Sequence, residues 1–322
     1  MRLVHVVAGP APETPLWDAP ITQWPGSEPS LLAVRECIGS VDRVILLGCA
    51  LAREAAAELG IRPHAAIAPP LRSLSLAAPA LKAALARVGE GIIVAWGTPV
   101  ARLARLSTRQ PVHDVDLNTG QVNGATLPHR CTTRLAEHTS SRPTGVLTVG
   151  LIGDNTADAM PMVYAAGILE VGGMPFRAFA PKWTRSLRRA FRHVSEGGYV
   201  RELRADFASS WAALPLCELA VLCPVPGPWP WSTKLALSAA LGAGVPAIAP
   251  DSPDARSLLE GPLEACIARS TARADFARVA SRFVTQPDLL RECGRYLLDR
   301  PAGPTMREAL TQAVAASRGA AA

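Results

Sequence analysis

The stretch "STKLALSAALGAGVPAIAPD", residues 232–251, sets the architecture of the chain. Its first part has helical character, opens on two hydroxyl residues and a lysine, and ends in Gly242-Ala243-Gly244. Its second part, 245–250, is a short apolar run of the kind that forms a strand buried on both faces. A glycine-terminated helix feeding directly into a buried strand is the repeating step of a parallel α/β fold.

The same alternation extends outward in both directions. Apolar strands are predicted at 2–9, 42–49, 91–97 and 110–117, with helices at 30–41, 50–61, 79–89 and 98–108 between them. Residues 118–145 lose periodicity and gain Thr, Ser, His, Arg and Pro, which reads as a linker. The pattern restarts with a strand at 144–154, a helix at 155–173 and a strand at 174–181. A basic helix at 182–198, a strand at 199–206, a helix at 207–217 and a strand at 218–224 follow. Beyond the opening stretch come helices at 254–260, 272–285 and 287–299. The expectation is an α/β chain of two Rossmann-like domains, 1–140 and 141–322, with parallel sheets facing across a cleft.

Bulk composition narrows the class. The 322 residues are 49% hydrophobic but only 5% aromatic, so the cores are built from Leu, Val, Ile and Ala. The net charge of +6 rests almost entirely on arginine; Lys82, Lys182 and Lys234 are the lysines. That bias, with abundant Ala, Gly and Pro, reads as genome composition, and no nucleic-acid recognition motif accompanies it. Lys182, Arg185, Arg188, Arg189 and Arg192 are the exception: clustered on one helix, they form a basic face suited to phosphate or to a membrane surface. Seven scattered cysteines contain no CxxC pair, which argues against a zinc site or a disulfide framework. The absence of a signal segment or a long apolar span points to a cytoplasmic location.

The segment 218–299 also carries a family likeness. "GAGVPAIAPDSPDARSLLEG" and "FARVASRFVTQPDLLRECGRYLL" resemble the C-terminal half of GT-B glycosyltransferases, especially the retaining family 4 type. "GIIVAWGTPVARLARL" with "QPVH" more weakly resembles the acceptor-side half of the same family. The resemblance implies a metal-independent hexosyltransferase that takes a nucleotide-sugar as substrate and needs no further cofactor. Its acceptor, a glycan, lipid-linked or protein group, is unspecified. The family's two glutamates, eight residues apart, fall here at Trp231 and Ala239, and the family's "GR" after its first C-domain strand is replaced by Gly150-Leu151.

Candidate site residues follow from the chemistry. A leaving diphosphate gains charge in the transition state, so backbone amides at a helix start and a fixed cation stabilise it most there. Ser232, Thr233 and Lys234 suit that role, as do the turn at Gly153 and the helix start at Asn155 and Thr156. Lys182 and Arg185 are placed to replace the missing diphosphate-binding pair. Trp96, Gly97 and Thr98 fall on the acceptor side, and Trp229 and Trp231 offer aromatic faces to a base or sugar. Asp114-Val115-Asp116 imitates a metal-binding pair but lies in the wrong half, so no metal ligand is assigned. His5 and His113 lack a nucleophile partner, and no catalytic base is named. The missing glutamates leave one alternative: a catalytically degenerate GT-B protein that binds a nucleotide or a partner.

Overall fold

The computed structural model describes residues 1–10, 28–68, 74–129, 147–153, 165, 176–179, 202–204, 207–222, 228–299 and 305–319. The chain divides into two compact units. The first comprises Met1–Cys131 together with Pro230–Leu235 and Pro304–Ala322; the second comprises Thr132–Trp229 and Ala236–Gly303.

In the first unit, strands β1 (Leu3–Ala8), β2 (Arg43–Leu47), β3 (Ala65–Ile67), β4 (Ile92–Trp96) and β5 (Val112–Val115) form one sheet in the order β3-β2-β1-β4-β5. Every pairing is parallel. Helices α1 (Glu28–Cys37), α2 (Ala50–Glu58), α3 (Ala78–Val88) and α4 (Thr98–Ser107) connect successive strands. All six β1 residues are buried, the signature of a sheet covered on both faces. Period-two geometry sorts the side chains. Val4, Val6, Ala8, Ile45, Leu47, Ile93 and Ala95 pack with Leu81 and Ala84 of α3 and Val100, Leu103 and Ala104 of α4. The alternate residues, His5 and Trp96 among them, point to the opposite face.

Three features of this unit depart from the sequence reading, the first being β3 itself, which lies where no strand was predicted. Within the stretch read as linker, β6 (Gln121–Val122) and β7 (Ala125–Thr126) form an antiparallel hairpin on Asn123-Gly124. Asn123 takes φ 51° and Gly124 φ 82°, the left-handed geometry that a two-residue hairpin turn requires. A C-terminal helix, Met306–Gly319, packs on α1. Its Met306, Leu310, Ala313 and Val314 are buried at helical spacing.

That helix is joined to the sheet through a buried carboxylate. The side chain of Asp42 is 0% exposed. It accepts the Leu3 amide at 2.9 Å, the Gly39 amide at 2.8 Å and the Arg307 guanidinium at 2.6 Å. Arg307 also donates to the Cys37 carbonyl at 2.9 Å, and its guanidinium fills the space a side chain at Gly39 would need. His5 Nε2 faces Asp42 at 3.9 Å, too far for a direct hydrogen bond. Trp96 Nε1 donates to His5 Nδ1 at 3.2 Å, which makes Nδ1 the acceptor nitrogen and leaves Nε2 on the side of the carboxylate.

The second unit repeats the design. Strands β8 (Leu147–Ile152), β9 (Phe176–Phe179), β10 (Glu202–Arg204), β11 (Leu219–Leu222), β12 (Ala247–Pro250) and β13 (Ile267–Ala268) lie in the order β10-β9-β8-β11-β12-β13. These pairings too are parallel. Phe276, Val279 and Phe283 of helix Arg273–Thr285 are buried, and that helix packs on β12 and β13. Apart from Ala165, which is helical and buried, the expected helix at 155–173 lies outside the described residues, as does the basic helix expected at 182–198. Both units are doubly wound parallel sheets, the α/β class read from the sequence.

Asp42 supplies a pH-dependent part of the stability. Burial alone would raise its pKa, but the His5 ring, the Leu3 and Gly39 amides and Arg307 outweigh that and hold it well below the ordinary 3.8. A lowered carboxylate pKa contributes stability that is present above 3.8 and is lost as pH falls through the folded-state value. Asp42→Asn is expected to lower stability by about 3 kcal/mol at neutral pH. In urea melts the gap to wild type should shrink as pH drops below about 4. A gap that is constant across this range would refute the role of the charge.

Candidate functional site

In doubly wound sheets, ligands gather at the carboxyl ends of the strands where the strand order reverses. In the second unit the reversal falls at β8, which has β9 on one side and β11 on the other. β8 ends at Ile152 and turns at Gly153, whose φ of 124° is a conformation that side-chain-bearing residues rarely adopt. This backbone has no Cβ to hold a ligand away from it. Gly150 serves a different end: a Cβ there would lie 2.8 Å from the Cys217 sulfur, so its glycine is required by packing. Asn155, Thr156, Lys182 and Arg185 lie outside the described residues.

The neighbouring strand end is built from local caps. The Asp251 amide, just past β12, donates to the Ala268 carbonyl at 2.7 Å. Both carboxylate oxygens of Asp251 are held by Arg256 at 2.7 Å, and that guanidinium keeps the Asp251 pKa below its ordinary value. The Ser252 hydroxyl accepts the Ala255 amide at 3.0 Å, capping helix Pro253–Leu258. Asp254 accepts the Trp229 amide at 3.3 Å. Trp229 is only 5% exposed, so its ring is a packing element here and presents no free face.

Helix Trp231–Gly242 begins with residues that cluster with the first unit. Its leading amides already have partners. Trp231 N–H donates to Asn118 O at 2.7 Å and Ser232 N–H to Leu117 O at 3.0 Å; Thr233 and Lys234 N–H both reach Pro230 O, at 3.0 and 3.2 Å. Any contact of this helix start with an anion therefore runs through side chains. Ser232 and Thr233 are buried and Lys234 is half-buried. The Trp231 indole, 3% exposed, donates to Leu127 O at 3.1 Å and lies against Gly120. A Cβ at Gly120 would collide with that ring, and its φ of 72° also calls for glycine. Ala239, where the resembled family has its second glutamate, is fully buried as well.

In the first unit the strand order reverses at β1, between β2 and β4. Gly97, at the carboxyl end of β4, takes φ 98°, donates to Val115 O at 2.9 Å and accepts the Ala101 amide at 3.0 Å. Thr98 follows it, exposed, at the start of α4. Trp96 is 0% exposed and committed to His5. Asp116 is occupied by a turn, accepting Asn118 N–H at 2.9 Å and the Thr119 hydroxyl at 2.8 Å. Asp114 stands 4.0 Å from Arg105; burial raises its pKa despite that guanidinium. His113 bonds Asn123 Nδ2 at 2.8 Å, and the same amide donates to Ala313 O at 3.3 Å, fastening the hairpin to the C-terminal helix. Among the described residues no three His, Cys, Asp or Glu side chains are grouped to hold a metal ion. Nor is any helix among them long and apolar enough to cross a membrane.

No family model matches the chain, and no curated protein sequence matches it. Solved structures match its fold along most of its length. The HepE protein of Anabaena, in complex with UDP-glucose, superposes with a TM-score of 0.60 at 9% identity, covering 99% of this chain and 100% of that one. A glycosyltransferase from Rickettsia africae gives a TM-score of 0.54 at 8% identity, with 92% of each chain covered. UDP-GlcNAc 2-epimerase from Neisseria meningitidis, bound to UDP-GlcNAc, gives 0.51 at 10% identity, covering 98% of this chain and 99% of that one. With two doubly wound parallel sheets in the orders found here, the chain has the GT-B fold.

Proposed function

We propose that the chain is a glycosyltransferase that takes a sugar from a uridine-nucleotide donor and passes it, with retention, to an acceptor hydroxyl. The observation that supports this reading is a near full-length likeness to folds solved with UDP-glucose and UDP-GlcNAc bound. The chemistry asked of the protein is modest. Bond cleavage adds a negative charge to the terminal phosphate of the departing diphosphate, and groups that stabilise it more in the transition state than in the ground state raise the rate. In the second unit the Gly153 turn lets backbone approach a phosphate closely. The Lys234 ammonium and the Ser232 and Thr233 hydroxyls are the proposed side-chain donors, with Asn155, Thr156, Lys182 and Arg185 completing the set. The donor is a substrate, and no resident cofactor is invoked. The Trp96-Gly97-Thr98 segment is proposed for the acceptor side, where exposed Thr98 is the member able to touch it.

Calorimetric titration with UDP, UDP-glucose, UDP-GlcNAc, GDP-mannose and ADP-glucose tests the reading. UDP compounds are expected to bind, and Lys234→Ala to weaken them about tenfold, the loss of roughly 1.4 kcal/mol. Absence of binding to every donor would overturn the proposal. UDP-GlcNAc incubated alone separates transfer from epimerisation, since an epimerised product formed without acceptor would replace the transferase reading.

Trp231→Glu offers a second test. The carboxylate would enter a buried site that holds an indole against Gly120 and the Leu127 carbonyl. The substitution is expected to cost about 3 kcal/mol or more in urea melts and to add no activity. A stable variant with increased sugar transfer would show that position 231 still addresses the donor.

A further inference from the structure

The amino ends of the first unit's strands carry a feature that the donor reading does not use. Arg2 immediately precedes β1, Arg43 opens β2, and His64 immediately precedes β3. Parallel pairing, with Val4 beside Arg43 and Ile45 beside Ala65, brings all three to one sheet edge. Helix α3 ends at the same edge with Arg87 and Val88. These residues and Ala65 line a pocket of about 410 Å³.

The pocket is rich in donors and poor in acceptors. Among the described residues no carboxylate lies within 4.0 Å of Arg2, Arg43 or Arg87. Arg2 gives one donor to the Val88 carbonyl, while its Nε is buried with no partner among the described residues. Among the described residues Arg87 reaches only the Ala83 carbonyl, at 3.4 Å. Arg43 Nη1 lies 2.7 Å from His64 Nε2, and the Val44 amide lies 3.3 Å from His64 Nδ1. A neutral imidazole has one acceptor nitrogen, yet both of its nitrogens face donors. Burial, then the charges of Arg43 and Arg2, hold the His64 pKa below its ordinary value, as expected in an uncompensated positive field.

From this convergence of three guanidiniums and an imidazole on an acceptor-poor pocket, we infer that this sheet edge binds a phosphate oxyanion. Planar guanidiniums suit phosphate oxygens, and the anion supplies the acceptors that the pocket lacks. A second pocket of about 670 Å³, lined by Lys82, Arg105 and Arg109 together with Glu90, continues the basic character of the edge past the end of α3. Met1, next to Arg2 in the chain, and Val41, two residues before Arg43, are 53% and 54% exposed. The phosphate is therefore either free or the headgroup of an anionic lipid. The inference is independent of the donor reading.

The test is calorimetric titration of the full chain with inorganic phosphate and pyrophosphate at low salt, beside co-sedimentation with phosphatidylglycerol and phosphatidylcholine vesicles. Phosphate binding that weakens at least tenfold in Arg43→Gln/Arg87→Gln, with UDP binding unchanged, identifies a free anion as ligand. Selective binding to phosphatidylglycerol vesicles, lost in the same variant, identifies a lipid headgroup. Arg87→Gln alone, at an exposed position, keeps the test valid if the double variant fails to fold, and Arg53→Gln controls for general loss of charge. Binding of neither probe, or binding equal in wild type and variants, overturns the inference.

Discussion

A carboxylate removed from water must be surrounded by donors, and in the first unit that requirement organises everything near Asp42. Its oxygens take the amide that opens β1, the amide of Gly39 in the turn before β2, and a guanidinium from a helix some 265 residues later in the chain. Had any one donor been absent, a buried charge would remain partly unpaired, at a cost of several kcal/mol. The sheet, the α1–β2 turn and the C-terminal helix are therefore not independent elements. The Trp96–His5 pair on the same face extends the network and makes Nδ1 the acceptor nitrogen of the imidazole.

Most of the described strands and helices were legible because buried parallel strands are continuous apolar runs, and their connecting helices have a different period; β3, a three-residue edge strand with no fully buried residue, forms no such run. What was read less well is instructive. Asn123-Gly124 is a strong hairpin signal, but the flanking strands are two residues each and too short to show alternation. Met306, Leu310, Ala313 and Val314 carry a clear helical period in the last segment. Its attachment to the first unit could not be read, because Arg307 and Asp42 meet only through tertiary structure.

Site residues were harder to read than elements. Hydroxyls and a lysine at a helix start look alike whether the amides beside them are open or occupied, and here Leu117, Asn118 and Pro230 occupy them. Trp229 and Trp231 follow prolines in a polar loop, which suggested exposed rings, yet both are buried because Asp254, Leu127 and Gly120 give them partners. Gly150 and Gly153, three residues apart, divide the work, one making room for a sulfur and the other turning the chain at the strand end. The basic pocket at the opposite strand ends was invisible in sequence, since Arg2, Arg43, His64 and Arg87 are spread over 86 positions.

In the proposed function the diphosphate of a nucleotide-sugar is received at the carboxyl end of β8, at the strand-order reversal of the second unit. Amide hydrogen exchange with and without saturating UDP-glucose addresses it directly, because a bound diphosphate slows the opening of the backbone it touches. Protection concentrated in the peptide that spans Leu151, Ile152 and Gly153 is the expected result. Unchanged exchange throughout the second unit at saturating UDP-glucose would contradict it.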